Sequence, residues 1–182
     1  MKNIENQEDI LTSKEIVDIF TLASEFCMFI DRMDKCEPAE AFVFLQKILP
    51  ALYLKGALCP VVEAEDLSAN ERFVTEEEYE TQRYQLSQYF ADRDMFTTVD
   101  LFSDNINSVP ISLSELLCDI YTDLKDFLIL FSKDSRAAKE NAVANCASYF
   151  KTGWGMRLVM ALPYVHLLCE GTPAEEEMYG EL

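Results

Sequence analysis

Glu115, Asp119, Asp123 and Asp126 recur at spacings of four, four and three, which places four carboxylates on one face of a helix. Such a row is what Mg²⁺ uses: a hard cation held by one or two carboxylates and several waters. A metal there would polarise a phosphoryl oxygen or acidify a bound water. A second group lies in F-K-T-G-W-G-M-R, where the chain's one tryptophan, Trp154, stands one turn from Arg157. An indole face beside a guanidinium offers a place for an anionic ligand. The plainer reading is structural, because a guanidinium among apolar residues is costly unless a carboxylate pairs with it. The single histidine, His166, is nine positions beyond Arg157, on the opposite face of a straight helix, and reads as a partly buried or capping residue near Glu170.

The pairs Glu77-x-x-Glu80 and Asp123-x-x-Asp126 bear comparison with the two-helix carboxylate sets of nucleotide pyrophosphohydrolases. They lie about forty residues apart in this chain, with no cluster of lysine or arginine for a triphosphate beside them. A carboxylate row opposite an apolar one is also what an ordinary solvated helix face looks like. The acidic run Glu76, Glu77, Glu78 and Glu80 is a third candidate, for contact with a basic protein partner.

Charge placement supports that last idea. The net charge is -18, and residues 63–80 and 170–182 together carry twelve of the excess negative charges. Phosphate backbones and anionic membranes need clustered Lys and Arg, so neither is expected as a partner. One histidine excludes multi-histidine metal centres, and no G-x-S-x-G, G-x-x-x-x-G-K-S/T or H-E-x-x-H occurs. No cofactor is implied. Six cysteines without a C-x-x-C, most among apolar neighbours, fit a reduced, cytoplasmic protein. The N-terminus resembles no export signal, and the most apolar stretch, Leu158 to Cys169, is too short to cross a bilayer.

The elements that must position these residues are helical. With 49% hydrophobic residues, five glycines and six prolines in 182 residues, the composition favours long helices around one core. Thr12 with Glu15, Thr75 with Glu78, and Ser112 with Glu115 read as capping boxes, and Ser135 caps a further helix. The first helix should run to about Met33. Pro38 suits a first helical position and Gly56 a left-handed C-terminal cap, with a kink near Pro50. Residues 59–74 read as a long loop and 92–111 as mixed loop with one or two helical turns. A last helix, apolar on nearly every side, should run from about Gly153 to Cys169 near the centre of the molecule, ended by Gly171 and Pro173. The expected architecture is all-α: residues 1–11 flexible, 12–171 a single-domain bundle of six or seven mostly antiparallel helices, and 172–182 an acidic flexible tail.

The helix layout, and above all F-K-T-G-W-G-M-R-L-V-M-A-L at 150–162, resembles an uncharacterised bacterial family known only as a domain of unknown function. The likeness covers most of residues 12–170, with Trp154-Gly155 and Ala161-Leu162 its specific core. It implies an all-helical fold and no activity. Relatives are expected to carry histidine beside the Trp-Gly pair, where this chain has Gly153 and Arg157, so no histidine chemistry carries over. The sequence favours a non-enzymatic protein-interaction module, with a Mg²⁺-dependent hydrolase and a small-molecule binder near Trp154 and Arg157 as alternatives.

Overall fold

The computed structural model describes residues 9–99 and 107–171. Of the expected flexible N-terminus, 1–11, residues 1–8 lie outside them, as does the expected acidic tail 172–182. The described chain is a predominantly α-helical domain: α1 (Lys14–Ile30), α2 (Pro38–Ala57), α3 (Glu76–Phe90), α4 (Leu113–Phe131), α5 (Arg136–Tyr149) and α6 (Gly155–Glu170). No helix among the described residues is long and apolar enough to cross a membrane.

Local signals set most helix starts. Thr75 Oγ1 accepts from the Glu78 N–H while a Glu78 carboxylate oxygen accepts from the Thr75 N–H, the reciprocal box expected for α3. Ser112 and Ser135 cap α4 and α5 through their hydroxyls. Each such cap contributes about 1 kcal/mol. At α1 the cap is Ser13 rather than Thr12, because Ile10–Thr12 forms a 3-10 turn that buries Leu11 in the core. The folded body therefore begins before residue 12. The same helix ends at Ile30, short of Met33, which sits in a separate 3-10 turn.

Residues 92–111 depart from expectation. Met95–Val99 (β1) and Ser108–Ser112 (β2) pair antiparallel, Met95 opposite Ser112 and Val99 opposite Ser108. The ribbon is fastened at its base by two contacts. Asp94 accepts from the Ser114 N–H at 2.7 Å and from the hydroxyls of Ser112 and Ser114, so it caps α4 from outside the helix. Phe96 stacks on Tyr164 of α6, with centroids 4.2 Å apart.

The central helix is α4, not α6 as the apolar composition of α6 implied. It packs against α1, α3, α5 and α6, and buries residues from Leu113 to Leu130. In α6 only Gly155, Leu158, Ala161 and Val165 are buried, a single stripe on a surface helix. That stripe lies on α2, the most extensive helix–helix interface among the described residues. The two run antiparallel, since Gln46 meets Glu170 while Gly56 meets Trp154.

That last contact corrects the role of Gly56. It is a buried residue inside α2 rather than a left-handed cap, and a Cβ there would lie 2.4 Å from the Trp154 ring and 2.5 Å from Phe150. Glycine is needed so that α2 can touch the indole. A glycine with positive φ closes a helix instead at Gly171, the end of α6, where φ is 83°.

Candidate functional site

α5 does not stop before α6. The segment Phe150–Trp154 is a π-helical turn that joins them, and the Gly155 N–H reaches back to the carbonyl of Phe150. A Cβ on Gly155 would lie 2.4 Å from that carbonyl oxygen, so the turn demands glycine. Turns of this kind occur often at functional sites. The turn drives Trp154 inward: the indole is fully buried, its N–H donates to the Cys146 carbonyl at 3.2 Å, and Phe150 packs edge-on against it. Trp154 is thus the centre of the packing and lines no surface that a ligand reaches.

Arg157 emerges on the other side. Its Nε donates to Asp119 of α4, and its Nη1 lies 3.0 Å from where a Gly153 Cβ would stand. The missing side chain of Gly153 gives the guanidinium its bed. No hydrogen bond to the terminal nitrogens of Arg157 is made by the described residues, although the Asp123 carboxylate lies near Nη1 across the Gly153 position. They border an open cleft of about 550 Å³ between β2, α4, the π-turn and α6. Lys151 and Thr152 stand on one wall and Glu115 and Asp119 on another, while Ile111, Leu116, Met156 and Met160 supply apolar surface. That volume and mix of linings are those of a small-ligand site.

The α4 carboxylates separate into two fates. Asp126 is buried: one oxygen accepts from the N–H groups of Phe73 and Val74 at 2.7 and 3.0 Å, the other from Arg72 Nε at 2.8 Å. Asp123 accepts from Arg72 Nη2 at 3.0 Å. Burial outweighs that bond and holds the Asp123 carboxyl above the usual carboxylate range. Asp119 accepts from the Tyr79 hydroxyl at 2.8 Å as well as from Arg157. Only Glu115 is exposed and without an ion-pair partner among the described residues. The row is therefore not a solvated face. It is a seam at which the loop before α3, α3 itself and α6 are fastened to α4.

The structure thus joins parts of two candidate sets, Arg157 with Glu115, Asp119 and, across the Gly153 position, Asp123, and separates Asp126 from them. Among the described residues no three His, Cys, Asp or Glu side chains are grouped to hold a metal ion. In the acidic run, Glu78 serves its capping box and Glu80 pairs with Arg83, which leaves Glu76 and Glu77 exposed and outside any ion pair among the described residues. His166 is exposed on the far side of α6, where Gln46 Nε2 sits 3.3 Å from its Nδ1 and donates to Glu170 at 2.9 Å. Sequence reasoning missed Lys151, whose clue was its place inside the glycine-flanked turn, and Arg72, the lone base in an acidic segment.

No curated protein matches the chain. A crystal structure of protein BF1032 from Bacteroides fragilis is similar to it, at 30% sequence identity and a TM-score of 0.80, over 91% of this chain and 99% of that one. A family model described as a domain of unknown function, DUF5063, matches residues 10–169. The Trp154-Gly155 turn and its surrounding helices thus sit within the matched region, and the chain belongs to the DUF5063 family.

Proposed function

We propose that the protein is a non-catalytic binding module whose recognition site is the cleft beside Arg157. The observation that carries this reading is the state of that guanidinium: Asp119 anchors it through Nε, and its terminal nitrogens border the cleft next to Lys151. A held arginine loses little freedom on binding, and its terminal nitrogens match a carboxylate in a two-point fit. The apolar surface of Ile111, Met156 and Met160 then suits the body of the ligand. Glu115 opposite the two cations favours a ligand that carries a positive group as well, such as an amino acid or a short peptide end.

Thermal shift against a panel of amino acids, dipeptides and simple carboxylates tests this. A member of the panel should raise the midpoint in the parent protein and fail to do so in Lys151→Ala and Arg157→Lys. No shift across the panel, or shifts that survive both substitutions, would remove the reading.

A second reading, a protein-interaction module facing a basic partner, is favoured by Glu76 and Glu77, which are exposed and outside any ion pair among the described residues. Its signature is a partner affinity that falls with salt and drops in the Glu76→Gln, Glu77→Gln double substitution. The Mg²⁺-dependent hydrolase has less support, since three of its four carboxylates already serve internal partners. A reducing, cytoplasmic location is supported by the free thiols of all six cysteines.

A further inference from the structure

The end of α2 meets α5 beside the indole, and at that junction two thiols come together. Gly56 lies against the Trp154 ring, and the Trp154 N–H donates to the carbonyl of Cys146 on α5. Cys59 follows one turn after Gly56, its N–H bonded to the Gly56 carbonyl at 3.2 Å. The Cys59 and Cys146 side chains thereby reach hydrogen-bonding contact from two well-separated parts of the chain. The two sulfurs differ in access and in freedom. Cys146 is only 2% exposed and is held in a regular helix. Cys59 is partly exposed and stands just past the end of α2, at the head of an irregular segment. A side chain there can turn toward its neighbour without distorting either helix.

We infer that this pair is an oxidation site, at which a small peroxide reacts with Cys59 and Cys146 resolves the product into a Cys59–Cys146 disulfide. In the first step the Cys59 sulfur attacks the peroxide, the O–O bond breaks, and Cys59 becomes a sulfenic acid as one water leaves. In the second, Cys146 attacks the Cys59 sulfur, the S–O bond breaks, and the hydroxyl departs with the Cys146 proton as a second water. Two thiols are oxidised to one disulfide, and one peroxide is reduced to two waters. Access selects the oxidant, because a partly covered sulfur admits a peroxide more readily than a bulky disulfide. Chemistry selects the sulfur. The bond from Cys146 holds the Cys59 thiol below its ordinary value, while burial pushes Cys27 and Cys118 up to about 12 and raises Cys169. The Cys36 thiol is engaged by the Met33 carbonyl and the Tyr89 hydroxyl. The disulfide ties the end of α2 to the residue whose carbonyl holds Trp154, so it locks the packing behind the π-turn. Excess thiol reverses it.

Treatment of the full, folded chain with a modest molar excess of hydrogen peroxide, then alkylation and peptide mass spectrometry without reductant, tests this. Two of the six thiols should be lost together, as one cross-link between the peptides of Cys59 and Cys146, and a dithiol reductant should restore both. Cys59→Ser should leave Cys146 unmodified at the same dose. Cys146→Ser should stop the reaction at a Cys59 sulfenic acid, which dimedone labels. If serine at that buried position prevents folding, as circular dichroism reveals, Cys59→Ser still decides the matter, since its site is partly exposed. Cys169→Ser should leave the cross-link intact. A parent protein that keeps all its thiols, one oxidised first at another cysteine, or a Cys59 that ends as sulfenic or sulfinic acid without the cross-link overturns the inference.

Discussion

The two halves of α4 present carboxylates of the same spacing and opposite use. Toward its C-terminal half, Asp123 and Asp126 are covered by Arg72 and by the backbone of Phe73 and Val74, so the charge is absorbed inside the fold. Toward its N-terminal half, Glu115 and Asp119 look into a cleft whose other wall carries Lys151 and Arg157. What decides between closure and opening is the neighbour. The loop before α3 lies over one half, while the hairpin and the π-turn hold the space above the other apart. Periodicity along one helix reports that residues share a face and says nothing of what lands on it.

Breaking the closed half should have the largest effect. Asp126→Ala strands two backbone donors and the Arg72 guanidinium, and is expected to cost about 3–5 kcal/mol in urea unfolding. Glu115→Ala should stay within about 0.5 kcal/mol. Similar losses at the two positions would erase the distinction. Asp119, at the border, should behave as both: Asp119→Asn is expected to cost about 1–2 kcal/mol and also to weaken ligand capture, because Arg157 loses its anchor. Stability lost without any effect on binding would assign Asp119 wholly to the closed half. Between the cations, Arg72→Ala should cost about 1 kcal/mol, a modest figure because its side chain is 52% exposed and solvent screens the pair. Lys151→Ala should leave the melting point unchanged and affect binding alone.

The smallest effect is in the pH dependence. Arg136 holds the Asp9 carboxyl below its ordinary value, Lys55 does so for Asp18, the Ser68 hydroxyl for Asp66, and the Thr75 N–H for Glu78. Folded-state values below the unfolded ones make these contributions complete above the ordinary carboxylate range, and they disappear as pH falls through the lowered values. Asp123 has the opposite sign. Its raised value means that the folded state takes up a proton more readily than the unfolded one, which offsets part of the acid loss. Asp123→Asn should therefore steepen the decline of the urea midpoint with acid, and a shallower decline would show that its bond to Arg72 outweighs its burial.

Features written into neighbouring residues were legible in the sequence. Thr75 with Glu78, Ser112, Ser135, Pro38 and Gly171 all mark helix ends where local hydrogen bonds place them. The pairing of Arg157 with a carboxylate followed from the cost of leaving it alone. Features that depend on distant chain were not. Phe96 and Val99 fit a helical turn by spacing, and become a strand because Ser108–Ser112 pairs with them and Tyr164 stacks on Phe96. Gly56 looked like punctuation until Trp154 was seen against it. The apolar circumference of α6 pointed to a central helix, yet α4 holds the centre and half of α6 is left outside. For the site, Arg157 was visible as an anomaly, while its cleft depended on Lys151 and on the hairpin, which no local pattern announced.

The turn at Phe150–Trp154 also sets the phase of everything after it. A π-turn holds one residue more than the α-helical register would, so each later side chain points about 100° away from where an unbroken helix would aim it. Deleting one residue there would turn the α5–α6 segment into a straight rod and swing Arg157 off Asp119, the indole out of the interior, and the stripe that meets α2 toward water. A single inserted position is thus the gear tooth that lets one long helix serve the core on one flank and the cleft beside Arg157 on the other.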